Sequence, residues 1–299
     1  MAHLVKYVIF FQLCLFSLLP CTAQASTPVC LVLSDDSTLY DEVTSLIESS
    51  LSSEVTLQIA YTETFDSNDV LESSLIVPVG RRAAEKVSSV IDDHPIIYSF
   101  IEAQTLNHIF SDSPPHRWQA SVINQPLSRL IKTAQPLIRN EYRNKLLIVI
   151  AKSNVWAQSQ IDNLPPDLRD IIEVMIVEQG DVAARLIDDS FYKVAAVVAV
   201  NDTVIWSGNS AKWILHQAYN YQVPVVGYAQ TFQKAGAMIS VYSSLSQIAE
   251  TTAGLINDWA KNKQLSSTGF VYSDYKIEVN EFIARALSYQ PDKIIIKRD

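Results

Sequence analysis

The stretch Val194-Ala-Ala-Val-Val-Ala-Val200, followed at once by Asn201-Asp202, decides the fold class of this chain. Its apolar residues run on without the alternation of a half-exposed strand, which is typical of a strand in a sheet covered by helices on both faces. Similar β-branched runs alternate with segments of helical period along nearly the whole chain after residue 26. This alternation predicts βα units and parallel sheets.

Nine strands are predicted in this way, at 29–33, 55–60, 74–79, 95–98, 118–123, 145–151, 173–178, 194–200 and 223–227. Helical spacing of apolar residues is clearest at 38–51, after Ser210 and at 245–259. A length of 299 residues suits about two domains. Dense turn chemistry at 111–116 predicts the first crossing between them. The predicted fold is α/β, with two doubly wound, Rossmann-like lobes built on parallel sheets.

Composition and motifs exclude several classes of function. A net charge of −9 makes the chain a poor nucleic-acid binder. The 7 glycines form neither GxGxxG nor GxxxxGK[ST], and HExxH and CxxC are absent, so we expect no cofactor and no metal site. No GxSxG elbow occurs and no histidine stands at a strand end, so we expect no catalytic residue and no enzyme. An exported hydrolase, the weakest alternative, would need a buried serine within reach of a histidine.

The first 25 residues have the composition of a secretory signal peptide. They carry one lysine and no acid, an apolar run over 8–19, and an Ala-Gln-Ala site that predicts cleavage after Ala25. We therefore expect an exported, periplasmic protein. The alternatives are a membrane anchor, for which about twelve apolar residues are too few, and lipid attachment at Cys21, which the preceding proline disfavours. Cleavage leaves Cys30 as the remaining cysteine, so no internal disulfide is expected.

Ligands of doubly wound sheets lie at the carboxyl ends of the strands, so the polar residues there are the candidate site. They are Ser34, Gly80, Arg81, Ser99, Asn154, Asn201, Asp202 and Tyr228. Gly80 and Arg81 suit a carboxylate, because backbone N–H groups at a helix start and a guanidinium both bind anions. Asp202 suits an amine. The alternative is structural: Ser, Asn and Asp at these places are also common helix caps, and the arginines also suit an exposed turn.

Several segments, in their order along the chain, carry a resemblance to one family. They are Pro95-Ile-Ile-Tyr98 with Phe100, Val194 to Asp202, Pro224-Val-Val-Gly-Tyr228, Ala235-Gly-Ala-Met-Ile-Ser240, and Asn280 with Ala284, Leu287 and Pro291. They resemble the exported substrate-binding proteins of ABC transporters, in the subgroup that includes aromatic amino acid binders. The chain departs from the family at Gln247-Ile248 and Ser288, where glycine is usual, and at Gly80-Arg81-Arg82, where a small residue or Thr is common.

The resemblance implies a periplasmic binding protein type I-like fold and a division of the chain. Lobe one would hold 27–116 plus about 229–262, and lobe two 117–228 plus about 263–299. The implied function is to bind a small organic solute, an amino acid or related carboxylate, between the lobes and deliver it to an inner-membrane ABC permease. The alternative is a sensory or adaptor module of the same fold that signals to a membrane sensor kinase or cyclase.

Overall fold

Two six-stranded sheets, with helices between their strands, form the framework of the chain. The computed structural model describes residues 26–66, 75–91, 93–111, 113–178 and 186–291. The predicted signal peptide lies outside these ranges. The strands are β1 Thr27–Leu33, β2 Val55–Tyr61, β3 Leu75–Val79, β4 Ile96–Ile101, β5 Trp118–Val122, β6 Lys145–Ala151, β7 Ile172–Val177, β8 Val194–Val198, β9 Val225–Gly227, β10 Ile239–Tyr242, β11 Gly269–Tyr272 and β12 Lys276–Val279. The α-helices are α1 Thr38–Glu48, α2 Arg81–Val90, α3 Ala103–Phe110, α4 Leu127–Ala134, α5 Val155–Asp162, α6 Pro166–Arg169, α7 Gly208–Asn220, α8 Gln230–Ala235, α9 Leu245–Asn262 and α10 Glu281–Ala286.

Both sheets repeat one strand order. The first runs β11-β5-β4-β3-β1-β2 and the second β12-β10-β9-β8-β6-β7. Every strand pair among the described residues is parallel except β10 with β12. The predicted fold class, two parallel α/β lobes, is confirmed. In this order the strands are added toward one edge of the sheet and then toward the other. The topological switch point lies between β1 and β3 in one lobe and between β6 and β8 in the other, and such points bind the ligands of doubly wound sheets.

Helices cover both faces of each sheet, as the uninterrupted apolar runs predict. Every residue of β3 and of β8 is buried. Separate apolar clusters fill the outer face of the first sheet, where Ile256 and Trp259 of α9 pack, and the outer face of the second, where Ile214 of α7 packs. A third cluster continues from the first sheet to the second.

The chain crosses between the lobes at other places than the sequence predicts. The strand β5, predicted in lobe two, pairs with β4 and so belongs to the first lobe. The turn-rich segment 111–116 joins neighbouring strands of one sheet, and the crossing follows at 123–126, before α4. Likewise β10 pairs with β9 in the second lobe and β11 with β5 in the first, each opposite to its prediction. The positions of the crossings depend on which sheet each strand joins. A local turn pattern carries no information about that pairing.

Hydrogen bonds join the three crossings side by side. Gln125 Nε2 donates to Ser243 Oγ at 2.6 Å, and Ser243 Oγ donates to the Asp274 carbonyl oxygen at 2.7 Å. Arg129 Nη1 adds bonds to Gln125 Oε1 at 2.7 Å and to the Ser273 carbonyl oxygen at 2.8 Å. The segments that connect the lobes therefore form one bonded strip at the base of the cleft.

Candidate functional site

A cleft lies between the lobes, where the carboxyl ends of the two sheets meet. A cavity of about 730 Å³ takes lining residues from both lobes, among them Arg81 and Glu102 from the first and Asn154 and Asn201 from the second. A second cavity of about 660 Å³ has Glu102 and Tyr228 in its wall. Both volumes fall in the range of about 300–1,000 Å³ that is usual for small-molecule sites.

Ser34 and Gly80 build the first switch point without lining either large cavity. Gly80 precedes α2 with φ 85°, and a Cβ added there would overlap the Tyr40 hydroxyl and lie 2.7 Å from Ser34 Oγ. The buried Ser34 hydroxyl donates to the Val79 carbonyl oxygen at 2.8 Å and accepts from the Ala83 N–H at 3.1 Å. Both residues thus serve the close approach of β1, β3 and α2.

Arg81 lies on the rim of the larger cavity, with its side chain about two-thirds exposed to solvent. Its Nε donates to Glu85 Oε1 at 2.7 Å, one helical turn further on. That hydrogen bond, then the charge of Glu85, and to a smaller extent the charge of Glu102, raise the pKa of Arg81 above its ordinary value. The guanidinium is at the cleft as predicted, but it already has a carboxylate partner.

Ser99 is internal, and the strand that carries it ends in a bulge. Its hydroxyl lies 2.6 Å from Thr252 Oγ1 of α9, and the residue is fully buried. The pairing of β4 with β5 shifts register between Ser99 and Ile101, and Phe100 between them has φ 53°. A bulky residue rarely adopts this conformation, and the bulge changes the direction of the last residues of β4. Glu102 comes next, and it reaches the cleft.

Replacing Ser99 with alanine tests its internal role. We expect Ser99→Ala to lower the free energy of unfolding by about 1 kcal/mol, the usual contribution of one hydrogen bond, because Thr252 keeps its bond to the Ile248 carbonyl oxygen. Solute affinity should not change. The measurement is urea unfolding, followed by titration with whichever solute binds the wild type. The matched control for the stability loss is Ser153→Ala, at an exposed serine in the cavity wall, which should unfold like the wild type. A loss of affinity at unchanged stability would return Ser99 to the binding site.

Asp202 holds two strand ends of the second lobe together. Its Oδ1 accepts from the backbone N–H groups of Val204 and Ile205 at 3.0 and 3.1 Å, and its Oδ2 accepts from the Ala151 N–H at 2.8 Å and from Asn154 Nδ2 at 3.0 Å. The residue is 3% exposed. Although Asp202 stands in the wall of the larger cavity, all four of these bonds come from the protein, which favours the structural alternative over the amine-binding role.

Asn154 is the helix cap that the alternative interpretation allows, and it also lines the cleft. Its Oδ1 accepts from the Ala157 N–H at 3.0 Å and so begins α5. Its Nδ2 donates to the Asn201 carbonyl oxygen at 3.1 Å as well as to Asp202. The two strand ends of the second switch point are therefore one hydrogen-bonded unit.

Asn201 makes a hydrogen bond that crosses the cleft. Its Nδ2 donates to Glu102 Oε1 in the other lobe at 2.7 Å. Glu102 also accepts from Gln104 Nε2 and Thr105 Oγ1, each at 3.3 Å. Sequence reasoning missed Glu102 because the predicted strand stops at 98. The bulge carries β4 on to Ile101, and the same strand-end logic applied there would have found it.

Two aromatic residues of the second lobe complete the cleft. Tyr228 follows β9, is half-buried, and has its ring 4.8 Å from that of Phe232. Burial, with the charges of Glu102 and Asp202 as smaller causes, raises the pKa of Tyr228 to about 12, so its hydroxyl is a donor at neutral pH. Trp156 lines the larger cavity, and its buried Nε1 has no hydrogen-bond partner among the described residues.

Of the eight predicted residues, the structure therefore brings five to the cleft. These are Arg81, Asn154, Asn201, Asp202 and Tyr228. Within the described ranges, no group of three or more His, Cys, Asp or Glu side chains is placed to hold a metal ion.

Comparison with known proteins identifies the fold. No protein-family model matches the sequence, and neither does any curated protein sequence. Solved structures do match. The ligand-free, open structure of a substrate-binding protein with adhesive properties from Clostridium difficile aligns with a TM-score of 0.64 at 13% identity, covering 90% of this chain and 98% of that one. The chain has the fold of the ABC-transporter solute-binding proteins.

Two further structures with the solute-binding protein fold support this assignment. One is described as an ABC domain in complex with L-Trp from Streptococcus pneumonia, with a TM-score of 0.54 at 16% identity over 89% of this chain and 97% of that one. The other is described as a periplasmic ribose ABC transporter from Conexibacter woesei, with a TM-score of 0.55 at 10% identity over 91% and 98%. The resemblance drawn from the sequence is confirmed at the level of the fold, the periplasmic binding protein type I fold. No helix among the described residues is long and apolar enough to cross a membrane.

Proposed function

We propose that this chain is the exported solute-binding protein of an ABC transporter and has no catalytic activity of its own. It binds a small organic solute, an amino acid or a related carboxylate, between its lobes and delivers it to an inner-membrane permease. The observation that carries the proposal is the polar cleft, whose lining residues come from both lobes and which contains a hydrogen bond from one lobe to the other. A solute that touches both lobes favours the closed state by its contacts there.

The fold neighbours support this role in general terms. One was solved in complex with L-Trp and another is described as a ribose transporter protein, so the same architecture holds solutes of different chemistry. In this chain the cleft offers a guanidinium at Arg81, amides at Asn154 and Asn201, and a phenol at Tyr228. These groups donate to carboxylate and hydroxyl oxygens, which both kinds of solute carry.

Solute binding should be measurable as added stability. We expect at least one compound among the L-amino acids, small carboxylic acids and simple sugars to raise the free energy of unfolding by about 2.7 kcal/mol at ~100 times its Kd. The measurement is urea unfolding with and without each compound, followed by calorimetric titration.

The matched controls place a bulky side chain inside or outside the cleft. Ser159→Arg puts an arginine into the wall of the larger cavity, whereas Ser49→Arg puts one at the exposed end of α1. Binding should be lost in the first variant and kept in the second. A protein stabilised by no compound, or equally by all in both variants, would contradict a solute-binding role. Co-purification with a permease, rather than with a sensor kinase or cyclase, tests the transport partner.

A further inference from the structure

Glu102 is the carboxylate at the centre of the cleft. It lines both large cavities, and it stands directly after β4, where the bulge at Phe100 directs it between the lobes. It is half-buried, and its 2.7 Å bond from Asn201 is the contact by which the second lobe reaches it. A solute that enters between the lobes meets this pair.

The negative charge of Glu102 has no cationic group within ion-pair distance among the described residues. Its three hydrogen bonds come from the neutral side chains of Gln104, Thr105 and Asn201. No ion pair joins it to any Lys or Arg within the described residues. Arg81 shares the cavity, but its guanidinium bonds Glu85.

Asp202, the other carboxylate in the wall of the larger cavity, is differently placed. Asp202 has four protein donors and is 3% exposed, so it offers little to a solute. A half-buried carboxylate whose hydrogen-bond donors are all neutral has no opposite charge beside it, so a protonated nitrogen adds an ionic attraction that these donors cannot supply.

We infer that the solute carries a protonated nitrogen, which takes the place of the Asn201 amide at Glu102. The inference rests on the proposed function and sharpens it: Glu102 selects amines, and a solute with only carboxylate or hydroxyl groups is rejected. The aromatic residues Trp156 and Tyr228 stand in the walls of the same cavities and suit a cation near their ring faces. The Asn201 amide, once released, is free to bind another oxygen of the solute.

Matched sets of compounds test the inference. Each set shares one side chain and differs in its charged groups: L-tryptophan, tryptamine and indole-3-propionate form one set, and L-leucine, isoamylamine and 4-methylvalerate another, with D-ribose added as an uncharged solute. Calorimetric titration of the wild-type protein should show binding by amine-bearing members. Their des-amino partners should bind about 10- to 100-fold more weakly, the range for a lost hydrogen bond to a charged group.

The variant Glu102→Gln keeps the shape and removes the charge. Its affinity for the amine should fall by about the same 10- to 100-fold, while Glu173→Gln, the same change at an exposed position on β7, should leave affinity unchanged. The unfolding midpoint of each variant without solute confirms that it is folded, and the comparison of compounds on the wild type needs no variant. If D-ribose or a des-amino acid binds as well as its amine partner, or Glu102→Gln keeps full affinity, the inference is overturned and the solute-binding function stands. If nothing binds, the function itself fails, and the inference with it.

Discussion

Asp202→Ala is expected to cost this protein about 3–5 kcal/mol of its free energy of unfolding, through several donors left without an acceptor. The substitution leaves the backbone N–H groups of Ala151, Val204 and Ile205 without their acceptor, while Asn154 keeps its bond to the Asn201 carbonyl oxygen. The Ala151 and Ile205 donors are buried, and each buried, unsatisfied donor costs about 1–3 kcal/mol; the exposed Val204 adds less, and the total is a large part of the 5–15 kcal/mol that stabilises an ordinary domain. Urea unfolding measures the loss.

Asp202→Asn separates the hydrogen bonds from the shape of the side chain. The amide oxygen can still accept from Val204 and Ile205, but its NH₂ group would face the donors of Ala151 and Asn154. We expect roughly half of the alanine variant's loss. If instead Asp202→Ala unfolds at the wild-type midpoint and binds an amine solute more weakly, the residue contacts the solute and the structural assignment is wrong.

Gly80→Ala is expected to cost about 2–4 kcal/mol, because two penalties coincide at this position. Its φ of 85° is unfavourable for any side chain, and the added methyl group would meet the Tyr40 hydroxyl and Ser34 Oγ. The first turn of α2 would have to move, together with the bonds of Ser34 to Val79 and Ala83. The free energy of urea unfolding is the measurement.

Gly236→Ala is the matched control, since Gly236 also has positive φ, at 111°, but no heavy atom lies within 4 Å of an added Cβ. It should carry only the conformational cost, about 1–2 kcal/mol. Adding Tyr40→Phe to Gly80→Ala should recover part of the loss by removing one of the two clashing oxygens, which a double-mutant cycle would detect. Equal losses at the two glycines would rule out the packing contribution.

The sequence predicted nine of the twelve strands in the described residues, because those nine are read from local patterns, and it did not predict β10, β11 or β12. The run over 145–151 is a strand with the predicted bounds, and the unbroken apolar stretch beginning at Val194 is a fully buried one. The lobe boundaries were not predictable in the same way. Whether β5, β10 or β11 joins one sheet or the other depends on pairing between distant segments, and the turn signal at 111–116 looks the same in both cases.

The candidate site was predicted as a region better than as a set of roles. The strand ends do meet at the cleft, and Asn154, Asn201 and Tyr228 line it. The Ser99 side chain points inward because Thr252 of α9, 153 residues away in sequence, lies within hydrogen-bond distance of it. Glu102 was not predicted as a site residue because a bulge at Phe100, a non-glycine residue with positive φ, extends β4 beyond its predicted end. No residue pattern in the sequence predicts such a bulge.

The interleaving of the two lobes also determines when each can finish folding. Five strands of the first sheet are complete by residue 122, but α9 and β11, which cover and extend that sheet, are synthesised only at 245–272. The bonds of Asn257 to Ser50 and Ser52 close loops of more than 200 residues, and such long-range contacts form slowly. A nascent chain, or a fragment ending at the crossing after β10, therefore leaves the outer face of the first sheet open to water. The first sheet lacks its edge strand until β11 is present, and the second lacks its own until β12 is present.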